Sequence, residues 1–350
     1  MASCREAADA GGARMTMKDS FSSPTSCWTG PLFIVGMPRS GTKLLRGLLG
    51  QHQRIRIPSI ETDFLPFLLR WVRAHGRPEQ PQAFASLFQE LRRAPYFMLR
   101  PGGADAFDEQ EWREHCDGRY DAAGLFEGFV RYETGSGVRT NYIWGDKSPA
   151  YMRHVATLLE NFPQARVVHI LRDVRDYCIS VNKAWRKDMR RAAHGWARDV
   201  EQVHRICRAQ PDRCIEVTYE DLLRSPEAVM TRLTKFLDVE PAQTSMLSLA
   251  RPVEARGDAA GRTEIMRDNF SKFAERLTPR QVRAIEALAF DTMQLVGYRP
   301  LHATRQQRLS GFEQRMLRLK DGASLLAHGA RKQGLASALR FHLGHARLLG

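Results

Sequence analysis

The sequence predicts an α/β fold, in which a P-loop-like and mostly parallel sheet is flanked by helices and carries a helical insertion and a basic C-terminal helical tail. Three observations favour this fold. Short apolar runs, typical of strands buried on both faces, alternate with helical patterns. A glycine-containing loop follows the first apolar run directly. The chain has 350 residues, of which 43% are hydrophobic, so it can bury a large core.

The first predicted element is a strand over Leu32–Val35, followed by a turn with glycines at positions 36 and 41. A helix comes next, because four leucines recur at helical spacing: Leu44, Leu45, Leu48 and Leu49. We expect Ser40 or Thr42 to cap this helix and Gly50 to end it. A loop of this kind directs several backbone N–H groups at one point, and it therefore predicts a phosphate site.

The spacing from Gly36 to Gly41 matches the Walker A loop, but Thr42 stands where that motif requires lysine, and Lys43 comes one position late. A nucleoside triphosphatase is therefore disfavoured. An ordinary strand-to-helix turn without a ligand is the alternative. A second phosphate site elsewhere in the chain would decide between the two.

Composition limits the class of partner. The chain has 53 Lys and Arg residues against 39 Asp and Glu residues, a net charge of +14, which favours a nucleotide, an acidic lipid or an acidic polymer. Its six cysteines include no Cys-x-x-Cys pair and no histidine at metal-ligand spacing. We expect a reduced, cytoplasmic protein without a disulfide or zinc framework. The sequence contains no run of about 18 apolar residues, the length that spans a membrane.

Residues 55–63 predict a short edge strand that ends near two acids, Glu61 and Asp63. Ligands of parallel α/β sheets bind at the carboxyl ends of the strands, so a carboxylate there could be a general base. A solvated turn acid or a helix cap is the alternative.

Residues 64–140 predict a mainly helical insertion, with helices over 64–75, 83–93, 109–115 and 122–132. We assign its many aromatic residues to the core. An insertion at this position is also where α/β enzymes often place substrate contacts.

Residues 141–150 predict another strand, a loop and a helix start, with Ser148 as the N-cap and Pro149 in the first turn. The apolar stripe of that helix is Met152, Val155, Leu158 and Leu159. Lys147 is then expected at the carboxyl end of the strand. It could neutralise charge on a leaving oxygen, or it could form a salt bridge to Asp146 or to another carboxylate.

Residues 165–180 predict the second phosphate site. A buried strand over Val167–Leu171 ends at Arg172, and Ser180 follows a little over two turns into the next helix. An arginine and a hydroxyl on a rigid scaffold suit a phosphate monoester. We assign His169, within the strand, to the packed core. The helical pattern continues through residues 185–208. Beside it is a basic cluster that we expect to be a solvated face, with attraction of an acidic acceptor as the alternative: Lys183, Arg186, Lys187, Arg190 and Arg191.

Two stretches together resemble the donor-binding motifs of sulfotransferases, which use 3′-phosphoadenosine 5′-phosphosulfate (PAPS). Residues 38–45, Pro-Arg-Ser-Gly-Thr-Lys-Leu-Leu, are similar to the 5′-phosphosulfate loop of that family. Residues 172–180, Arg-Asp-Val-Arg-Asp-Tyr-Cys-Ile-Ser, are similar to its 3′-phosphate motif. The resemblance covers residues 31–298 and is closest to bacterial sulfotransferases related to the tyrosylprotein enzymes. It implies sulfuryl transfer from PAPS to an acceptor hydroxyl, without a metal.

The resemblance also implies roles for individual residues. Arg172 and Ser180 would hold the 3′-phosphate, Glu61 would be the catalytic base, and Lys147 would stabilise the departing phosphate oxygen. The 5′-phosphosulfate would be held by Arg39, Ser40, Gly41, Thr42 and Lys43. Two features depart from the family pattern: the register of Glu61 needs a one-residue insertion, and Lys43 stands where the family usually has Thr or Ser.

Two further donor contacts come from the second half of the chain. Tyr219, after the strand predicted over residues 214–219, resembles the tyrosine that approaches the adenine in the family, with simple packing as the alternative. Residues 253–269 predict a loop at the point where the family closes a flexible segment over the nucleotide. The resemblance of residues 269–273 to the end of that segment implies that Lys272 reaches a donor phosphate. A helix is then predicted from Thr278-Pro279 to Gly297.

We predict a flexible segment over residues 1–29, a sulfotransferase domain over 30–300 with its insertion at about 64–140, and a basic helical tail over 301–350. The tail has nine basic and two acidic residues, and its apolar positions include Leu335, Leu339 and Leu343. It could lie on an anionic membrane, with a disordered or dimer-packing tail as the alternative.

The predicted function is transfer of a sulfuryl group from PAPS to a hydroxyl of a carbohydrate, lipid, small molecule or tyrosine. A carbohydrate or glycolipid acceptor would suit a peripheral membrane contact through the tail, and we expect no nucleic acid partner. A P-loop kinase or a non-catalytic nucleotide-binding protein is the alternative.

Overall fold

The computed structural model describes residues 28–137, 140–241, 244–253 and 258–333. At its centre is a sheet of five parallel strands: β1 (Leu32–Val35), β2 (Ile55–Arg56), β3 (Ile143–Lys147), β4 (Arg166–Leu171) and β5 (Cys214–Thr218). Their order in the sheet is β2-β3-β1-β4-β5. The predicted α/β fold with a parallel sheet is therefore confirmed, and the carboxyl ends of all five strands lie on one side.

Helices occupy most of the remaining described chain. The first six are α1 (Thr42–Leu49), α2 (Leu65–His75), α3 (Pro81–Leu91), α4 (Pro95–Leu99), α5 (Glu109–His115) and α6 (Ala122–Thr134). The next five are α7 (Val155–Asn161), α8 (Val174–Trp185), α9 (Met189–Ala209), α10 (Tyr219–Arg224) and α11 (Pro226–Leu237). The last three are α12 (Phe273–Arg276), α13 (Pro279–Leu295) and α14 (Gly311–Gln333), and short 3-10 helices cover Pro149–His154 and Thr244–Leu247.

The central strand β1 shows why both faces of the sheet are covered. All four of its side chains are fully buried, and they alternate between two apolar clusters. Phe33 and Val35 belong to the cluster that contains the insertion, α8, α9 and α13. Leu32 and Ile34 belong to the other cluster, with the leucines of α1 and the apolar faces of α10 and α11. A strand buried on both faces needs a continuous apolar run, which is the pattern that predicted it.

The helices of the insertion, α2 to α6, lie between β2 and β3 in the chain. Their aromatic rings form one buried cluster in which, for example, the centroids of Phe64 and Phe129 are 4.7 Å apart. The assignment of these aromatics to the core is therefore confirmed for most of them, although Phe67 is only partly buried. The short helix α4 was not predicted.

Several predicted boundaries are wrong. The helical pattern over residues 185–208 is interrupted, because Arg186 adopts a left-handed conformation with φ of 57° and ends α8. Asp188 then starts α9 by accepting hydrogen bonds from the N–H groups of Arg190 and Arg191. The edge strand β2 has two residues rather than a longer alternation, so Glu61 and Asp63 lie in the loop after it. Tyr219 begins α10 instead of ending β5.

The segment after β3 was predicted as one helix and is a 3-10 turn that continues into α7. Ser148 occupies the N-cap position, as predicted, but its side chain makes no capping hydrogen bond. The predicted apolar stripe is buried throughout: Met152, Val155, Leu158 and Leu159.

The described part of the tail, residues 301–333, includes α14, which packs against α8 and α9. Arg191 donates to Asp321 at 2.7 Å and Arg190 donates to Glu313 at 2.7 Å. The predicted positions Leu335, Leu339 and Leu343, like residues 1–27, lie outside the described residues. Within the described chain, none of the helices combines the length and apolar character needed to cross a membrane.

Candidate active site

The loop between β1 and α1 has a backbone that only glycine accommodates at its last position. Gly41 has φ of 92°, and a Cβ atom there would collide with the ring of Tyr219. Gly41 is also the N-cap of α1, and no side chain caps that helix end, so the predicted capping by Ser40 or Thr42 is wrong. The first N–H groups of α1 have no intrahelical acceptors, which leaves them directed at the loop. Such a helix end suits an anion.

Ser40, the residue before Gly41 in this loop, has an unused hydroxyl. Its side chain is 1% exposed, and its Oγ has no hydrogen-bond partner among the described residues. Buried hydroxyls are nearly always paired in folded proteins. Thr42 is 3% exposed beside it, at the first position of α1. The loop therefore has hydrogen-bonding capacity that the described protein does not consume.

Arg172, at the end of β4, connects the second predicted phosphate site to this loop. Its guanidinium donates to the backbone carbonyl of Arg39 at 2.8 Å, while its Nε is buried without a partner in the described chain. The Nε of Arg39 in turn approaches the Oγ of Ser180 on α8, at 3.4 Å. The structure therefore brings together Arg39, Arg172 and Ser180, which lie more than 130 residues apart at their widest.

Tyr219 covers the same site from α10. The Cζ atom of Arg172 lies 4.5 Å from the centroid of its ring, a cation–π contact, and its hydroxyl accepts a hydrogen bond from Asn269 at 2.8 Å. Both the flat ring and the arginine face a cavity of about 310 Å³, a volume typical of small-ligand sites. Predicted residues that line this cavity are Arg39, Gly41, Arg172, Ser180, Tyr219 and Lys272.

Lys272 faces the cavity but is already engaged. Its ammonium donates to Asp258 and to Asn269. Asp258 is also paired with Lys183 at 2.6 Å and with Arg276 at 3.2 Å. Hydrogen bonds from Lys183 and Lys272 hold the pKa of Asp258 well below its usual range. Sequence reasoning missed Asp258 and Asn269, although Asn269 opens the short stretch that pointed to Lys272.

Glu61 and Lys147 form an ion pair next to the loop. Lys147 ends β3 and is 1% exposed, and its Nζ donates to Oε1 of Glu61, which follows the neighbouring strand β2. Of the two partners considered for Lys147, Asp146 or another carboxylate, the structure shows the second, Glu61. Burial lowers the pKa of Lys147, an effect that the charge of Glu61 opposes and those of Arg46 and Lys43 reinforce.

Two more acids lie beside this pair. Asp146, the residue before Lys147, is 1% exposed, and burial raises its pKa to about 6. Burial together with the charges of Glu61 and Asp146 raises the pKa of Asp63 to about 7. Shifts of this kind concentrate at functional sites. The sequence indicated Asp63 as a possible acid of the site, but no sequence pattern revealed that Asp146 would be buried beside it.

A second cleft, of about 330 Å³, lies on another side of the loop. Met37 and Pro38 of the loop form part of its wall, and so does Pro149, two residues after Lys147. Its rim is rich in cations: Arg153, Lys187, Arg191, Arg198 and Arg318. Two members of the basic cluster noted in the sequence, Lys187 and Arg191, therefore line a cleft instead of a solvated face.

Comparison with known proteins identifies the family of the chain. A model described as the sulfotransferase family matches residues 31–243, more than half of the chain. The chain therefore belongs to the sulfotransferase family.

Individual relatives share about a quarter of the aligned residues with this chain. Protein-tyrosine sulfotransferase 1 of Danio rerio is 26% identical over 215 residues, which are 59% of this chain and 53% of that protein. An uncharacterized protein of Aquifex aeolicus is 26% identical over 266 residues, 71% of this chain and 31% of its own length. The chain thus spans about half or less of these relatives. A solved sulfotransferase domain of the Synechococcus PCC 7002 olefin synthase aligns with 86% of this chain and 97% of its own, with 21% identity and a TM-score of 0.47.

Proposed function

We propose that this member of the sulfotransferase family transfers a sulfuryl group from PAPS to an acceptor hydroxyl. One observation carries the proposal: two buried polar atoms without partners in the described chain, Oγ of Ser40 and Nε of Arg172, lie in one group of contacting residues at the start of a helix. Hydrogen-bond donors held without acceptors in a cationic pocket are what a polyphosphorylated ligand requires.

The donor's two anionic ends would bind at different parts of the cavity. The 5′-phosphosulfate would be held by the loop residues Arg39, Ser40, Gly41, Thr42 and Lys43, through N–H groups of the helix start, hydroxyls and cations. Arg172 and Ser180 would hold the 3′-phosphate, and the ring of Tyr219 would pack against the adenosine. Lys272, which donates to Asp258 and Asn269, would bind a phosphate through its third ammonium hydrogen or by exchanging one of these two contacts. PAPS when bound supplies the activated sulfuryl group.

Glu61 and Lys147 would carry the chemistry. Glu61, which is about one-third exposed, would take the proton of the attacking hydroxyl as the acceptor oxygen bonds to sulfur. The bond between that sulfur and the phosphate oxygen breaks in the same step, and Lys147 would neutralise the charge left on the oxygen. Their contact in the free protein supports this arrangement, since proton removal and charge balance are needed at neighbouring atoms.

The cationic second cleft is the proposed entrance for the acceptor. It shares Met37 and Pro38 with the phosphate loop and lies close in sequence to Lys147 through Pro149. A carbohydrate, lipid, small-molecule or tyrosine hydroxyl is consistent with its size.

We also propose a peripheral membrane contact through α14. Its residues Phe312, Met316 and Leu319 recur at i, i+4 and i+7 and are 73%, 52% and 70% exposed. Exposed Arg315 and Arg318 flank them, which favours an anionic lipid surface. Sedimentation with phosphatidylserine vesicles should be lost in the Phe312→Ser/Leu319→Ser double variant, and equal sedimentation of both proteins would refute the contact.

A kinase is less well supported. Asp173, the acid that follows the buried strand β4, would have to bind a metal, but it is occupied by Arg175 through both carboxylate oxygens, at 2.9 and 2.6 Å. A nucleotide-binding protein without activity would need neither Glu61 nor Lys147.

Calorimetric titration with 3′,5′-bisphosphoadenosine tests the donor site. We expect micromolar binding, little binding of ATP with magnesium, and at least a tenfold weaker affinity in the Arg172→Ala variant, since a charge-assisted pair is worth about 1.5–3 kcal/mol. Binding of magnesium ATP as tight as that of the bisphosphate, or an unaffected Arg172→Ala variant, would refute the proposal.

A further inference from the structure

A second group of polar side chains lies between α9 and the strands β4 and β5, within an otherwise apolar layer. His169 of β4 and Glu216 of β5 are paired in register, so their side chains share one face of the sheet. His204 and Cys207 project from α9 above them, three residues apart on one side of that helix. One ligand atom from each of His169, Cys207 and Glu216 lies within 4.8 Å of the others.

Burial makes this group unusual. His169 is 0% exposed and Cys207 is 4% exposed, while the Glu216 and His204 side chains are 18% and 13% exposed and give the group an edge toward solvent. The thiol of Cys214, at the start of β5, lies beside that of Cys207. Three kinds of metal-binding atom, imidazole nitrogen, thiol sulfur and carboxylate oxygen, therefore meet in a small buried volume.

A hydrogen-bonded network explains only part of the arrangement. Nδ1 of His169 is 2.8 Å from Oε1 of Glu216, and Nδ1 of His204 is 2.6 Å from Oε2. The carboxylate thereby orients both rings. Nε2 of His169, however, is buried with no partner in the described chain, and the thiol of Cys207 is hydrogen-bonded to that of Cys214 rather than to the two rings. Each nitrogen of a fully buried imidazole normally has a partner.

We propose that His169, Cys207 and Glu216 bind one divalent cation of the zinc class, with His204 and Cys214 flanking the set as sources of a fourth ligand. Zinc takes nitrogen, sulfur and oxygen ligands at about 2.0–2.3 Å, so ligand atoms within 4.8 Å of one another can surround it after small side-chain movements. On binding, Cys207 coordinates as the thiolate, and its proton passes to the solvent.

The chemistry of the ligands selects the class of metal. A thiolate and an imidazole disfavour magnesium and calcium, which prefer oxygen ligands. Carboxylate with nitrogen and sulfur is typical of zinc and of cobalt as its substitute. Because the ligands come from one helix and two strands, a bound ion would tie α9 to the sheet. No residue of this set belongs to the proposed donor site, so the inference is independent of the proposed function.

Cobalt titration of the full chain provides the test. The protein is reduced, stripped with a chelator and titrated with Co²⁺ while its absorption spectrum is recorded. We expect one equivalent to produce visible bands and a near-ultraviolet thiolate-to-cobalt band, and one equivalent of Zn²⁺ to remove them. Zn²⁺ should also raise the melting temperature.

Two variants and two controls make the result decisive. Cys207→Ser should weaken the thiolate band, leaving at most the part that Cys214 supplies, and should bind Zn²⁺ at least tenfold more weakly. Cys116→Ser and Cys178→Ser, which alter buried thiols elsewhere, should retain the full band and the parent affinity for Zn²⁺. Glu216→Gln keeps the size of the side chain and should also weaken Zn²⁺ binding, so the test remains valid if Cys207→Ser does not fold. Metal-free circular dichroism reports on the fold of each variant.

Three results would overturn the inference. The first is the absence of a thiolate band in the reduced parent protein. The second is a band of equal strength in the Cys207→Ser variant. The third is a disulfide between Cys207 and Cys214 that forms in air and persists in the native protein under mild reduction, because it would assign the two thiols to each other.

Discussion

The proposed active site has two ends, the phosphate loop and the carboxyl end of β3, and they differ in which hydrogen-bonding partners they lack. At the phosphate loop, Ser40 and Arg172 carry buried donor atoms without acceptors in the described chain. At the end of β3, Oδ1 of Asp63 is a buried acceptor without a donor there, and three acids surround one buried lysine. The phosphate loop therefore has donors that an anion could satisfy, and the end of β3 has a carboxylate that a proton donor could satisfy. A site built to bind an anion and to remove a proton needs this asymmetry.

The largest test of the comparison removes the proposed base. Glu61→Gln preserves the shape of the side chain but cannot accept a proton, so we expect sulfate transfer to an accepted hydroxyl compound to fall about 10²–10⁴-fold. Binding of 3′,5′-bisphosphoadenosine should change less than threefold, because Glu61 is not among the residues that line the donor cavity. Radiolabelled sulfate transfer and calorimetry measure the two quantities.

If Glu61→Gln lost turnover and nucleotide binding to the same extent, the two ends would not act independently, and Glu61 would be needed for donor binding as well. Arg172→Ala provides the converse control, since it should weaken the nucleotide at the first end.

A second test compares two buried arginines three residues apart. Arg175 is bonded to Asp173 and, at 2.8 Å, to Glu286, whereas Arg172 has its Nε unused and lines the cavity. Arg175→Ala leaves the buried carboxylates of Asp173 and Glu286 without their cation, although each keeps backbone N–H donors, and should reduce the free energy of unfolding by about 3–5 kcal/mol. Arg172→Ala should cost about 1 kcal/mol and act mainly on nucleotide binding. Urea denaturation distinguishes them, and equal losses of stability would mean that Arg172 is also structural.

The smallest expected effect concerns Asp63. Its pKa rises from an ordinary 3.8 to about 7, so the folded protein binds this proton more tightly than the unfolded chain does. The stability from this proton is complete below pH 4 and is lost as the pH rises to 7. Asparagine tolerates the φ of 55° at this position. We therefore expect the free energy of unfolding of Asp63→Asn, taken relative to that of the parent protein, to be at least about 1 kcal/mol higher at pH 8 than at pH 4.

Asp258 is the matched control, because its pKa is shifted in the opposite direction by Lys183 and Lys272. Its contribution to stability is present at neutral pH and is lost in acid, so Asp258→Asn should be less stable than the parent protein at pH 8. Thermal melts at both pH values measure the two variants. If both changed stability with the same sign, the contrast between the two ends would be wrong.

The sequence by itself predicted what is encoded locally. The strand Leu32–Val35 followed from its apolar run, and the end of β4 at Leu171 and the buried face of α8 followed from the same kind of pattern. Arg172 and Ser180 could be paired in advance, because one strand end and one helix hold them at a set spacing. The predicted caps Ser40 and Thr42 were wrong, since the left-handed backbone at Gly41 places no side-chain oxygen on the first N–H groups.

Only the tertiary structure decided which distant groups meet. Lys147 pairs with Glu61 because β2 and β3 are neighbours in the sheet. The sequence of neither segment indicates that the two strands are adjacent. The sequence predicted no metal site, because His169, Cys207 and Glu216 have no local spacing that indicates one. They meet because β4 and β5 pair in register and α9 packs on them, so long-range packing creates the ligand set. Local patterns determine elements, while contacts between elements determine the chemistry.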